Sequence, residues 1–208
     1  SDHLTYIAET VLETAFRLAW SELVKKHGRP SSVSEQEIET SFKNTGFLVV
    51  GYGKLGGLET GYHSDLDLVF LHAGSRGKTT GPASIENSYF FGRLGQKMIH
   101  ALTTHTGAGV AYEADMRLRP SGNSGPLVSG IDGFEEYQLN QAWTWEHQAL
   151  VRARPVCGDP VLMQKFLSIR KKALSRPRNP GTLREEIRSM RDRIRQERFR
   201  PDPGMFDL

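Results

Sequence analysis

The sequence predicts an α+β fold, with helices packed around a small sheet, on three observations. Two short apolar runs, at 47–50 and 66–71, are joined by a segment carrying Gly51, Gly53, Gly56, Gly57 and Gly61. They read as strand, glycine-rich turn, strand. From 4 to 26 apolar residues recur at three- and four-residue steps, the period of an amphipathic helix. From 110 to 118 the chain alternates: Tyr112, Ala114, Met116 and Leu118 share one face, and Glu113, Asp115, Arg117 and Arg119 share the other, as in a third strand.

The remaining elements follow in order. His27-Gly28 ends the first helix with Pro30 just beyond, and 28–34 reads as a loop. After the second strand, Gly74, Gly77, Gly81 and Pro82 mark a flexible loop at 73–84, expected on the same side of the sheet as the glycine turn. Ser84 is placed to cap a helix with Tyr89, Phe90, Leu94, Met98, Ile99 and Leu102 as its buried stripe, ending near Thr106-Gly107. His100 and His105 lack a second ligand at helical metal spacing and read as structural or surface residues. Ser121 to Pro126 forms a turn that either wraps a ligand or simply connects. Residues 131–140 and 143–154 read as helices, the second stopped by Pro155.

Trp143, Trp145 and Tyr137 could stack on a base, but at these spacings they read as core. His147 has no nucleophile partner nearby in the sequence. Asp159-Pro160 starts a basic helix over 161–174. A linker at 176–181 leads to a last helix, capped by Thr182, whose Leu183, Ile187, Met190 and Ile194 make a seam for one partner helix until Pro201 and Gly204 break it.

Composition narrows the class. At 208 residues with 38% apolar and 25% charged side chains, the chain can bury a core of one or two domains. No apolar run is long enough to span a bilayer and no signal-peptide layout is present, so a cytoplasmic location is expected. The single cysteine, Cys157, excludes an intrachain disulfide and a multi-cysteine metal site and reads as packing. Net charge is only +3, yet 165–200 holds thirteen Lys or Arg against four acids. Such a field suits a polyanion or an acidic protein surface, or is simply a solvated helix face.

The chemistry concentrates between 47 and 72. Glycine-rich backbone can turn several N–H groups towards one anion, with Lys54 adding charge and Ser64 a hydroxyl. Asp65 and Asp67 leave the same strand face roughly 7 Å apart along the backbone. Paired carboxylates beside a phosphate-binding turn suit magnesium, and two such ions serve in-line displacement at phosphorus. A third carboxylate from a neighbouring strand would complete the set: Asp115, with Glu113 the alternative. Arg117 and Arg119 on that face suit triphosphate oxygens, or else form surface ion pairs. The stretch is not a P-loop, since no Gly-x-x-x-x-Gly-Lys-Ser/Thr occurs, and not a dinucleotide fingerprint, because Gly51-Tyr52-Gly53-Lys54-Leu55-Gly56 leads to a second strand instead of a helix.

The words Gly-Tyr-Gly-Lys-Leu-Gly-Gly-x-Glu-x-Gly-Tyr-x-Ser-Asp-Leu-Asp-Leu-Val-Phe-Leu-His from Gly51, Asp-x-Arg-Leu-Arg-Pro from Asp115, and Ala-Trp-Thr-Trp-Glu-His-Gln-Ala-Leu-Val-Arg-Ala-Arg from Ala142 resemble the glutamine synthetase adenylyltransferase family. The resemblance covers most of 47–159. It implies a DNA polymerase beta-like nucleotidyltransferase fold: a small mixed sheet, flanking helices and a C-terminal helical segment. It implies three units, an N-terminal helix (1–30), the catalytic domain (31–157) and a basic helical segment (158–208) that begins a further helical domain. The implied reaction moves AMP from ATP to a tyrosine of glutamine synthetase in nitrogen regulation, with a PII-type signal protein regulating the full-length enzyme. Asp65, Asp67 and Asp115 are the implied acids holding two magnesium ions; Gly56, Gly57, Ser64, Lys54, Arg117 and Arg119 are expected to bind the nucleotide. Gly-Tyr-Gly and Trp-Thr-Trp-Glu-His look more like the AMP-attaching than the AMP-removing half. An RNA nucleotidyltransferase would use the basic segment, but no aromatic-interleaved motif supports it. A purely regulatory module would leave the three carboxylates idle.

Overall fold

The computed structural model describes residues 2–32, 44–74, 76–107 and 109–198. The loop reading at 33–34, the caps and seam assigned to Thr182 and Ile194, Arg200 of the basic run and the break at 201–204 fall on residues or side chains outside that description.

In chain order the elements are α1 (Asp2–His27), β1 (Phe47–Gly51), α2 (Gly53–Gly56), β2 (Leu66–His72), α3 (Asn87–Thr103), β3 (Ala114–Asp115), a 3-10 turn (Gly122–Ser124), β4 (Val128–Gly130), α4 (Ile131–Asn140), α5 (Thr144–Val151), β5 (Arg154–Gly158), α6 (Pro160–Leu174) and α7 (Pro180–Arg198). The sheet runs β3-β2-β1-β5, with β4 also paired to β2. β1 is antiparallel to both β2 and β5; β3 and β4 lie parallel to β2 on one edge, against its first and last residues.

Helices cover both faces. On one side Phe47, Val49, Leu66, Leu68 and Phe70 meet α1 and α3 in one apolar cluster. Phe47 lies at its centre, with the rings of Phe16 and Phe70 at 5.6 Å and of Phe91 at 6.2 Å. On the other side Leu48, Val50, Val69 and Leu71 meet α4, α5 and α6 through Ile131, Phe134, Leu150, Phe166 and Ile169. Coverage on both faces is why β1 is an unbroken apolar run: alternate residues enter different cores. α6 docks through a built start, where the Asp159 carboxylate accepts the N–H of Val161 at 2.9 Å and of Gly46 at 3.1 Å, with Pro160 at the first helical position.

Several expectations are corrected. The glycine turn contains a single helical turn, α2, because Gly53 starts it at positive φ. The loop at 73–84 begins at the opposite end of β2 from Asp65 and is tied to the end of α1: Gly81 and Thr80 donate backbone N–H to His27 and Arg29, and Thr79 is buried. Ser84 donates to the Thr79 carbonyl and does not cap α3, which starts later. Within α3, Tyr89 is exposed and Phe91 is buried in its place. The third strand shrinks to two residues, since 116–119 turn away. The helix expected at 143–154 ends at Val151, and β4 and β5 form unannounced strands.

Trp143 and Trp145 are 71% and 37% exposed and do not belong to the core; they line a cleft between α5 and α7. His147 is buried, donating Nε2–H to the Gln138 carbonyl at 2.8 Å, while His100 and His105 are on the surface and Cys157 is buried packing. The basic run is partly neutralised: Lys165 pairs with Asp132, Lys172 with Glu135, and Arg170 donates to the Leu150 and Val151 carbonyls. No described helix is long and apolar enough to cross a membrane.

His72 stacks flat on Phe91, ring centroids 5.0 Å apart, and its Nδ1 is buried without a partner among the described residues. Burial holds its pKa below the ordinary value. The folded state therefore takes up a proton less readily than the unfolded chain, so this contribution to stability is present above about pH 6.5 and is lost as pH falls through the folded-state pKa. His72→Phe is expected to flatten the acid side of the stability profile, measured as urea midpoints at about pH 7.5 and about pH 5.5. An acid-side loss as steep as wild type would show that His72 does not set it.

Candidate active site

The site begins where β1 ends. The backbone N–H of Tyr52 donates to the Asp67 carbonyl at 2.9 Å, so the chain leaves β1 directly beside Asp67. Gly53 follows at φ +53°, and a Cβ there would stand 2.2 Å from Asp67 Oδ2. Both facts require glycine: the left-handed backbone and the space occupied by the carboxylate.

The next glycines serve another neighbour. A Cβ on Gly56 would meet the Arg152 carbonyl oxygen at 1.8 Å, and one on Gly57 the Arg152 guanidinium at 2.6 Å. Their own N–H groups bond inside the turn, to Tyr52 and Gly53 carbonyls at 2.9 and 3.1 Å. The amides at the start of α2 are the ones without an intrahelical acceptor. Gly61 N–H donates to Ser64 Oγ at 2.9 Å, which leaves the Ser64 hydroxyl proton as a donor. Lys54 is exposed and contributes positive field at Asp67.

Asp67 and Asp115 are register partners across the parallel β2–β3 pair, one step beyond Leu66 and Ala114. Asp65 lies just before β2 on the exposed side. Burial first, then the charges of Asp115 and Asp65, raise the pKa of Asp67, with Arg117 and Lys54 opposing. Asp115 goes the other way: Arg117 holds it below the usual carboxylate range. Arg117 donates Nε–H at 2.8 Å and Nη2–H at 2.5 Å to Asp115 Oδ2, and its backbone N–H at 2.8 Å to Oδ1. Glu113 is exposed and contributes its carbonyl, which accepts the Leu66 N–H at 2.9 Å.

The structure thus brings Asp65, Asp67, Asp115, Arg117 and Lys54 into one electrostatic group. Arg119 donates to the carbonyls of Met116, Asn123 and Gly125 in its own loop at 2.7 to 3.4 Å while its charge also helps to hold Asp115 low, so a turn replaces the flat strand face expected at 113–119. Among the described residues no group of three or more His, Cys, Asp or Glu stands arranged to hold a metal ion. The donor set nevertheless fits one chemically: the acids are hard oxygen donors, and the repulsion that raises Asp67 is what a divalent cation relieves.

Sequence reasoning missed Arg152 and Arg154. Arg152 pairs with Glu59 and backs the glycine turn; Arg154 pairs with Glu9 and donates to the Leu55 carbonyl at 3.1 Å. No local spacing marks the pair, because Arg152 ends α5 and Arg154 opens β5.

A family model described as glutamate-ammonia ligase adenylyltransferase matches residues 1–169. Among curated relatives, the bifunctional glutamine synthetase adenylyltransferase/adenylyl-removing enzymes of Thioalkalivibrio sulfidiphilus, Nitrosococcus oceani and Psychromonas ingrahamii are 51%, 52% and 47% identical over the whole of this chain. The chain spans only 21–22% of the length of those relatives. With the family model matching most of its length and these identities running end to end, the chain belongs to the glutamate-ammonia ligase adenylyltransferase family.

Proposed function

We propose that the chain is an AMP-attaching catalytic unit with a polymerase beta-like nucleotidyltransferase fold, moving AMP from ATP to a tyrosine hydroxyl of glutamine synthetase and releasing pyrophosphate. The observation that carries this reading is the register of Asp67 with Asp115, held beside a glycine turn that abuts the Asp67 carboxylate. The relatives' names supply the acceptor protein and both directions of AMP chemistry. The Gly-Tyr-Gly and Trp-Thr-Trp-Glu-His words favour attachment.

In this reading Asp65, Asp67 and Asp115 would hold magnesium, which when bound neutralises triphosphate charge and activates the attacking oxygen. The first amides of α2 and Lys54 face the phosphates, Gly56 and Gly57 admit Arg152 behind them, and Ser64 donates its hydroxyl proton. Arg117, 75% exposed on its side chain, is able to turn from Asp115 to a phosphate oxygen. Asp115 then has a carboxylate oxygen open to the acceptor hydroxyl, a general-base-like position. Arg119 steadies the loop behind Arg117.

With α-labelled ATP, magnesium and purified glutamine synthetase, wild-type chain is expected to transfer label, and Asp65→Asn or Asp67→Asn to abolish transfer. Phosphate-dependent release of ADP from AMP-modified glutamine synthetase would instead assign the chain to the removing reaction. Absence of both, with no magnesium-dependent ATP binding, would refute the reading.

Gly53→Ala tests the geometry separately. Its Cβ must displace the Asp67 carboxylate, so transfer is expected to fall about a hundredfold while the left-handed alanine costs the fold only about 1–2 kcal/mol. Full activity in the alanine variant would show that Asp67 need not stand where it does.

A further inference from the structure

We infer that the cleft between Tyr62–His63 and Val110–Glu113 is the acceptor subsite, taking the phenol ring of a tyrosyl side chain presented by a protein partner. The inference rests on the nucleotidyl-transfer reading and names where that reaction receives its second substrate.

The cleft encloses about 320 Å³, the small end of ligand-binding volumes and a size for one ring. Asp65 and Glu113 belong both to it and to a second hollow formed with Ala114, Asp115 and Arg117. The two hollows therefore adjoin, and a group seated among Tyr62, His63 and Tyr112 lies next to the one that Asp115 lines.

Sheet order decides which substrate enters there. The glycine turn leaves β1 and is backed by Arg152, just before β5, so it lies on the β1–β5 side of Asp67. The cleft lies on the other side of β2, beside the segment entering β3. Displacement at phosphorus puts the attacking and leaving oxygens roughly in line on opposite sides. With pyrophosphate leaving towards the glycine turn, the attacking hydroxyl arrives from the β3 side. In that step the phenol oxygen bonds to the α-phosphorus, the α–β bridging P–O bond breaks with its electron pair going to pyrophosphate, and the phenolic proton passes to Asp115.

Charge and exposure agree with a neutral aromatic guest. Among the described residues the cleft is lined by Asp65 and Glu113 but by no lysine or arginine, which repels a triphosphate and tolerates a phenol. Tyr62 is 87% exposed at its rim, an uncovered ring suited to stack on an incoming one, and Tyr112 is half-buried in its wall.

The test compares wild type with Tyr62→Ala, an exposed change that spares the core, and with Val110→Trp, which fills the cleft. Initial rates of AMP transfer are measured against glutamine synthetase and ATP separately, together with equilibrium binding of magnesium-ATP. Tyr62→Ala is expected to lower kcat/KM for glutamine synthetase about five- to tenfold, the loss of one aromatic contact, with ATP binding unchanged. Weakened ATP binding with an unchanged KM for the acceptor would overturn the assignment and give the cleft to the nucleobase; no change in either would also overturn it.

Saturation-transfer NMR with N-acetyl-tyrosinamide needs no turnover. Signal from the phenol ring in wild type, reduced in Tyr62→Ala and Val110→Trp, supports the subsite even where transfer to glutamine synthetase fails. Signal equal in all three proteins, or absent from wild type, counts against the subsite while leaving the transfer assay to judge the reaction.

Discussion

The antiparallel ladder between β1 and β2 is the constraint from which the site follows. All five residues of β1 pair with β2, from Phe47 opposite His72 to Gly51 opposite Leu68, and all five are buried. A strand covered on both faces cannot slip by one residue, because the slip would exchange the occupants of two filled cores. The ladder therefore fixes where the chain escapes at Tyr52, and with it the approach of Gly53 to Asp67. β3 needs only two residues of pairing to place Asp115, since β2 is already immobile.

The charges in the site are arranged at a cost that the core offsets. Asp67 is partly desolvated and repelled by two other carboxylates, while Arg117 fully engages Asp115. Left alone, that cluster favours proton uptake at Asp67 and a closed ion pair at Asp115. A polyanion carrying a divalent cation would invert both preferences, drawing Arg117 outward and charge onto Asp67. The resting arrangement is thus poised against its own acids.

Elements with a strong period and one dominant environment were legible in the sequence: α1, β1, β2, α4 and α6 stand close to where their patterns put them. β4 is three residues long and has no period to read. β5 was hidden because Trp143 to Val151 continues a helical pattern into it and Pro155 reads as a stop; Pro155 is tolerated because β5 is an edge strand that bulges beside it, at Val156. Trp143 and Trp145 misled because ring size suggests burial while only tertiary contacts decide it. In the site, period two carried Asp65 and Asp67, but the fate of Arg119 depended on carbonyls of a loop whose path no local pattern encodes. Arg152 was invisible for the same reason: it lies against Gly57 and pairs with Glu59, both far earlier in the chain.

The far edge of the sheet also sets a timetable. β1 is completed by β5, whose Cys157 and Gly158 pair with Val49 and Leu48. During synthesis the first half of the core, α1 with β1, β2 and α3, emerges long before this strand and must wait with one edge of β1 unpaired. Until the ribosome has released Gly158, that edge is a template for pairing with other chains. The Arg152 that backs the glycine turn arrives in the same late segment. Closing the sheet and finishing the glycine turn are therefore one event, so a nascent chain cannot present a finished turn on an open sheet.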